Sequence, residues 1–169
     1  IIFANDVPVS KAPMYAYRYT YQPNSTSKYN AYKSMGTASL DNSKSSGTAT
    51  LKYTVQSSDT AKISVVISNS VSGEIDAVFA KIKASTSVSV SKSVSYTAGT
   101  SYSASLTIPA KKHGSITGYL PAIKTSGKIK IEHYDANSTD KYVISTTYKT
   151  VNTSYVPLTS DRHFVSKTW

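Results

Sequence analysis

The stretch Thr86-Ser87-Val88-Ser89-Val90-Ser91-Lys92-Ser93-Val94-Ser95-Tyr96-Thr97-Ala98-Gly99-Thr100-Ser101-Tyr102-Ser103-Ala104-Ser105-Leu106-Thr107-Ile108-Pro109 decides the fold class. Every second residue is Ser or Thr over most of its length. Val88, Val90, Val94 and Tyr96 share one face, interrupted by Lys92, and Tyr102, Ala104, Leu106 and Ile108 share one face of the return run. A strand places i and i+2 on the same side, so this pattern has period two and belongs to a sheet. Ala98-Gly99 offers a turn and Pro109 a stop, which together predict a β-hairpin over 86–108.

The same alternation recurs outward from it. Ala49, Leu51, Tyr53 and Val55 alternate with Thr50, Lys52 and Thr54, and Ile63, Val65 and Ile67 with Ser64, Val66 and Ser68. Strands are expected over 115–120, 128–134 and 142–149, with an edge strand after Thr153 and a loose tail at 160–169. Residues 23–48, full of Asn, Ser, Lys and Gly, read as loop-rich. One segment breaks the period. Ile75, Val78, Phe79 and Ile82 fall at i, i+3, i+4 and i+7, the stripe of a short helix near 73–84. Glu74 and Asp76 near its start and Lys81 and Lys83 near its end suit the helix dipole. The expectation is one all-β domain over 1–169, an antiparallel sandwich or an elongated twisted sheet with one short helix.

Composition narrows the chemistry. The 169 residues include 50 Ser and Thr, 14 Tyr, one Trp and no Cys. The absence of thiols excludes disulfide scaffolds, zinc–thiolate sites and cysteine nucleophiles. No run of about 20 apolar residues exists to form a spanning helix. No HExxH, GxSxG or phosphate-loop spacing occurs. In a strand, Glu132 and Tyr134 point away from His133, so this polar cluster does not converge. With Glu only at positions 74 and 132, paired-carboxylate chemistry has little to work with. A non-enzymatic protein without metal or cofactor is expected.

Charge points to binding. Lys and Arg number 19 against 9 Asp and Glu, a net charge of +10. Lys111, Lys112, Lys124, Lys128 and Lys130 follow one another with no acid until Glu132. That run favours an anionic polymer or membrane surface as partner. Nucleic acid is disfavoured, because only two arginines are present and no nucleic-acid-binding module is recognisable. A second candidate is the ladder Tyr15, Tyr17, Tyr19, Tyr21. Facing solvent, these rings would make a stacking platform. Ala16, Arg18, Thr20 and Gln22 make the opposite face the more polar one, which favours turning the rings inward.

The alternating Ser/Val strands running into Leu106-Thr107-Ile108-Pro109-Ala110-Lys111-Lys112-His113-Gly114 resemble the sheet core of the epsilon-toxin/Mtx2 branch of aerolysin-like pore-forming proteins. They equally resemble small secreted β proteins of Gram-positive bacteria. The resemblance covers 48–133. It implies a secreted protein with an elongated sheet, and in the toxins an amphipathic hairpin that inserts after homo-oligomerisation, here 86–108. Lys92 argues against insertion, since a lysine on the lipid side costs about 2–4 kcal/mol at the bilayer midplane. The leading expectation is a secreted cationic protein that binds anionic cell-surface or wall components, toxin-like or antimicrobial. The alternatives are a pore former and a structural matrix or coat protein.

Overall fold

The computed structural model describes residues 12–58, 60–62, 72–86, 90, 92, 95–139, 142–159 and 161–169. It is mostly β, with antiparallel sheets, a single short helix among the described residues and no closed barrel. The expected strand over 63–67 lies outside these residues.

The molecule is organised along one strand. β6 (His113–Asp135) carries β1 (Tyr15–Asp41) on one side over nearly its whole length. On the other side it pairs first with β8 (His163–Thr168) at 114–119 and then with β7 (Val143–Pro157) at 122–134. Pro121 stands in the gap between those two partners, where the missing N–H costs no ladder bond. Its carbonyl accepts from the Leu158 N–H at 3.0 Å. Sequence punctuation at Gly118, Pro121 and Gly127 therefore does not break the strand, and the segments expected at 115–120 and 128–134 are one element.

Two separate covers lie on this long sheet, on opposite faces and at opposite ends. A two-stranded sheet of β2 (Ala49–Val55) and β5 (Tyr102–Ile108) sits over the half containing Gly114 and Gly118. A Cβ at Gly114 would fall 2.4 Å from Ile108 Cδ1, so only glycine lets the covering sheet come this close. Val55, Ala98 and Leu120 form the buried centre of that half, with Tyr53, Tyr102 and Phe164 packed around them. The helix α1 (Ser72–Ser85) covers the other face at the other half. Its Val78, Phe79 and Ile82 meet Tyr21, Ile123, Ile129, Val151 and Val156 in the larger core. The helix appears where the 3.6-residue stripe placed it. Its Glu74 is buried and accepts from Lys149 Nζ at 3.0 Å, which spares a desolvated carboxylate.

Three expectations need correction. The segment 23–48 is not loop-rich: β1 continues to Asp41, and the turn begins only at Asn42. Its polar composition reflects an exposed edge strand with register shifts between Pro23 and Ser25, Tyr29 and Lys33, and Ser34 and Gly36. Such bulges erase simple alternation and blunt the edge against pairing with other chains. The expected loose tail at 160–169 is ordered over 163–168, where β8 closes onto β6. The described parts of the 86–108 hairpin do not pair with each other either. β5 pairs with β2, while β4 (Ser95–Thr97) pairs with β3 (Thr60–Lys62), and Val90 bridges Leu158. Similar Ser-rich strands carry the same face pattern, so alternation alone does not choose among partners.

Candidate polyanion-binding face

Directly paired residues of antiparallel strands share a face. Along β6 the even-numbered residues from Lys124 to Tyr134 point away from the helix, beyond the reach of the β2–β5 cover. Lys124, Lys128 and Lys130 lie in this row. Gln22 and Thr20 stand opposite Lys128 and Lys130 on β1, and Thr150 and Tyr148 on β7. Lys128 leans diagonally so that its Nζ sits 5.5 Å from the Tyr148 ring centroid. Tyr148 is 58 % exposed. The row is thus a strip of ammonium groups, hydroxyls and phenols.

Its carboxylate is already engaged. Arg18 donates to Glu132 twice, Nε to Oε1 at 3.0 Å and Nη2 to Oε2 at 2.8 Å. Arg18 also lies over the Tyr134 ring at 5.6 Å. The hydrogen-bonded partner lowers the Glu132 carboxyl below its ordinary value and raises the Arg18 guanidinium. A forked pair of this kind holds both charges in place. Both oxygens of Glu132 are thus taken by Arg18, and the neighbouring Lys130 adds a smaller attraction that also lowers its carboxyl.

The five lysines of the sequence run do not form one patch. Lys111 and Lys112 occupy the turn between β5 and β6, and Lys111 adopts φ 68°. Twelve residues of strand separate Lys112 from Lys124, roughly 40 Å at the usual rise. Lys111 and Lys112 are thus remote from the β6 row.

The tyrosine ladder lies on the helix side, opposite the lysines. Tyr21 is buried, and its hydroxyl meets Thr125 Oγ1 at 2.8 Å. Burial raises its phenol above the ordinary range, partly offset by that bond. Tyr19 lies under the start of the helix, its ring 2.6 Å from where a Cβ of Gly73 would stand. Tyr17 and Tyr15 run out past the helix and are 58 % and 60 % exposed. Both flank His133, with ring centroids at 4.9 Å for Tyr17 and 5.3 Å for Tyr15. The inward expectation holds for Tyr21 and in part for Tyr19. It fails for Tyr15 and Tyr17, because the helix starts too far along the sheet to cover them. Nitration of the folded protein, mapped by mass spectrometry, is expected to modify Tyr15 and Tyr17 at least tenfold faster than Tyr21, on the order of the exclusion that burial imposes. Equal rates at all four would contradict this gradient.

Sequence reasoning missed Tyr148, Tyr134 and the Arg18–Glu132 pair, which come from distant parts of the chain. It also missed a ring cluster on the lysine side, where Tyr155 lies 5.2 Å from Tyr32 and 5.6 Å from Tyr29. Strand register was the only available signal, and it required knowing that β1 and β7 flank β6. Among the described residues, no three His, Asp or Glu side chains gather in a group that could hold a metal ion.

Comparison of the chain with protein-family models, curated proteins and solved structures gives no match.

Proposed function

We propose that this is a secreted, non-enzymatic protein that binds anionic polymers of a cell surface or wall along the Lys124–Lys128–Lys130 row. One observation carries the reading: three ammonium groups share an uncovered sheet face whose carboxylate is tied up by Arg18. Side chains two apart on a strand repeat at about 7 Å, which suits an extended chain of phosphates or carboxylates laid along β6. Hydroxyls of Thr20 and Thr150 and the phenol of Tyr148 supply hydrogen bonds and stacking beside Lys128 and Lys130, and Ser27 and Tyr155 stand opposite Lys124.

The test is co-sedimentation with wall preparations rich in phosphodiester polymer, against the same walls stripped of it. Binding is expected to the first only. It should fall sharply as salt rises, since the screening length shrinks from about 10 Å at 0.1 M to about 3 Å at 1 M. Retention that ignores salt, or equal binding to stripped walls, would overturn the reading.

A further inference from the structure

The far end of the long sheet carries a second, differently built surface. The turn after β1 and the turn before β6 are tied together there. Asn42 N–H donates to the Lys112 carbonyl at 2.9 Å and Lys111 N–H to the Asn42 carbonyl at 3.1 Å. The buried Asn42 side chain binds the carbonyls of Gly47, Ile108 and Pro109, at 3.0, 3.2 and 3.0 Å. This fixes Lys44, Lys111 and Lys112 at one tip, all exposed. β8 ends at the same place. His113 and Trp169 exchange both backbone hydrogen bonds, at 2.8 and 3.1 Å, and their rings stack at 5.5 Å. Lys167 Nζ lies 5.3 Å from the Trp169 ring centroid.

The tip therefore presents four ammonium groups and an indole that is 54 % exposed. Asp41 is the neighbouring carboxylate. Ser43 donates to it from its backbone N–H at 2.9 Å, and His113 Nδ1 lies 3.4 Å away. The positive groups outnumber it, and one of them, Lys167, lies against a ring held in place by backbone pairing. Tryptophan at a bilayer surface settles at the headgroup level, apolar ring inward and N–H toward water, a fit that a purely ionic partner does not exploit in full. Lysines flanking it would meet anionic headgroups.

We infer that this tip, formed by Lys44, Lys111, Lys112, Lys167 and Trp169, docks the protein onto the surface of a bilayer containing anionic lipids. The inference extends the charge-driven attraction proposed above to a second surface with its own partner. Docking is interfacial: no chain segment has to leave the sheet, because the ring and the ammonium groups already point outward.

Trp169 is the single tryptophan of the chain, so its fluorescence reports the tip alone. With mixed phosphatidylglycerol–phosphatidylcholine vesicles, the emission is expected to shift to the blue and to be quenched by brominated acyl chains. Pure phosphatidylcholine vesicles and soluble polyphosphate should leave it unshifted. The pair Lys111→Asn and Lys112→Gln should weaken vesicle binding roughly 25-fold, about fivefold for each lysine lost near an anionic surface. Asparagine is chosen because it tolerates the left-handed backbone of position 111. Trp169→Ala, followed by sedimentation, gives a second loss without touching charge, and its circular dichroism confirms folding. Lys124→Gln with Lys128→Gln and Lys130→Gln should keep the emission shift while losing polyphosphate binding. An unchanged emission on anionic vesicles, or full vesicle affinity in both tip variants, overturns the docking tip. If polyphosphate binding survives that result, the β6 reading stands without it. Loss of polyphosphate binding in the parent protein removes the β6 reading and leaves the tip to the vesicle result.

Discussion

Replacing Gly127 with alanine should destabilise the protein by about 3 kcal/mol, the upper part of the range for forced overpacking. An added Cβ would stand 2.3 Å from the Gln22 carbonyl oxygen, 2.7 Å from Pro23 Cα and 3.0 Å from the Asn24 nitrogen. All three are backbone atoms, so no side chain can swing aside. The position also sits at a double irregularity. β1 shifts register between Pro23 and Ser25, and the β6–β7 pairing shifts between Thr125 and Gly127, opposite Ser154 and Val151 of β7. Both neighbours bend at the same level of β6, and Gly127 is what lets β1 close in. Pushing β1 away would strain the Tyr21–Thr125 bond and the core around Ile129 next to it. For a chain of this size the melting temperature should drop by about 10 °C, at roughly 2–4 °C per kcal/mol. Gly47→Ala is the control, because nothing lies within 4 Å of the added atom. Its change should stay within about 0.5 kcal/mol. Equal melting of the two variants would refute the close approach at Gly127.

Neutralising Lys124, Lys128 and Lys130 together with glutamine should weaken binding to an anionic wall polymer on the order of 100-fold. Each lysine near an anionic surface contributes about 1 kcal/mol, and about 1.4 kcal/mol is a factor of ten. The loss should be nearly additive, since Lys124 and Lys128 are exposed, Lys130 is half-buried on the same outer face, and none of them belongs to a core cluster. Stability should change little for the same reason. Lys52→Gln serves as the comparison. It is exposed on the covering sheet, away from the row, and should cost no more than about fivefold. Isothermal titration or sedimentation at fixed low salt reads the difference. If Lys52→Gln costs as much as the triple change, net charge rather than this face governs binding.

Much of the fold was legible in local pattern. Alternating Ala49, Leu51, Tyr53 and Val55 became β2, and Tyr102 to Ile108 became β5. The helix followed from four apolar residues at helical spacing. What local pattern did not disclose was long-range. A strand such as Asn24 to Lys33, exposed at an edge and bulged twice, has no buried face to impose alternation. Pro121 reads as a terminator unless one knows that its partners change at that residue. The site shows the same division. The lysines were visible in order, yet only register separates Lys111 and Lys112 from the β6 row. Tyr148 became a neighbour of Lys128 through β7, which no local spacing encodes.

The two covers do more than bury apolar surface. Each clamps a different face of β6, and they are offset along its length, so β6 acts as a shared axle between them. Loosening the helix frees one side of the axle near Ile129 while the other cover still grips it near Gly118. Neither half can rotate about the strand without dragging ladder bonds that the other half holds rigid. The arrangement resists torsion along its long axis, and the residues at one end keep their orientation relative to those at the other. A row of lysines and a distant tryptophan set on such an axle would meet their surroundings at a fixed angle to each other.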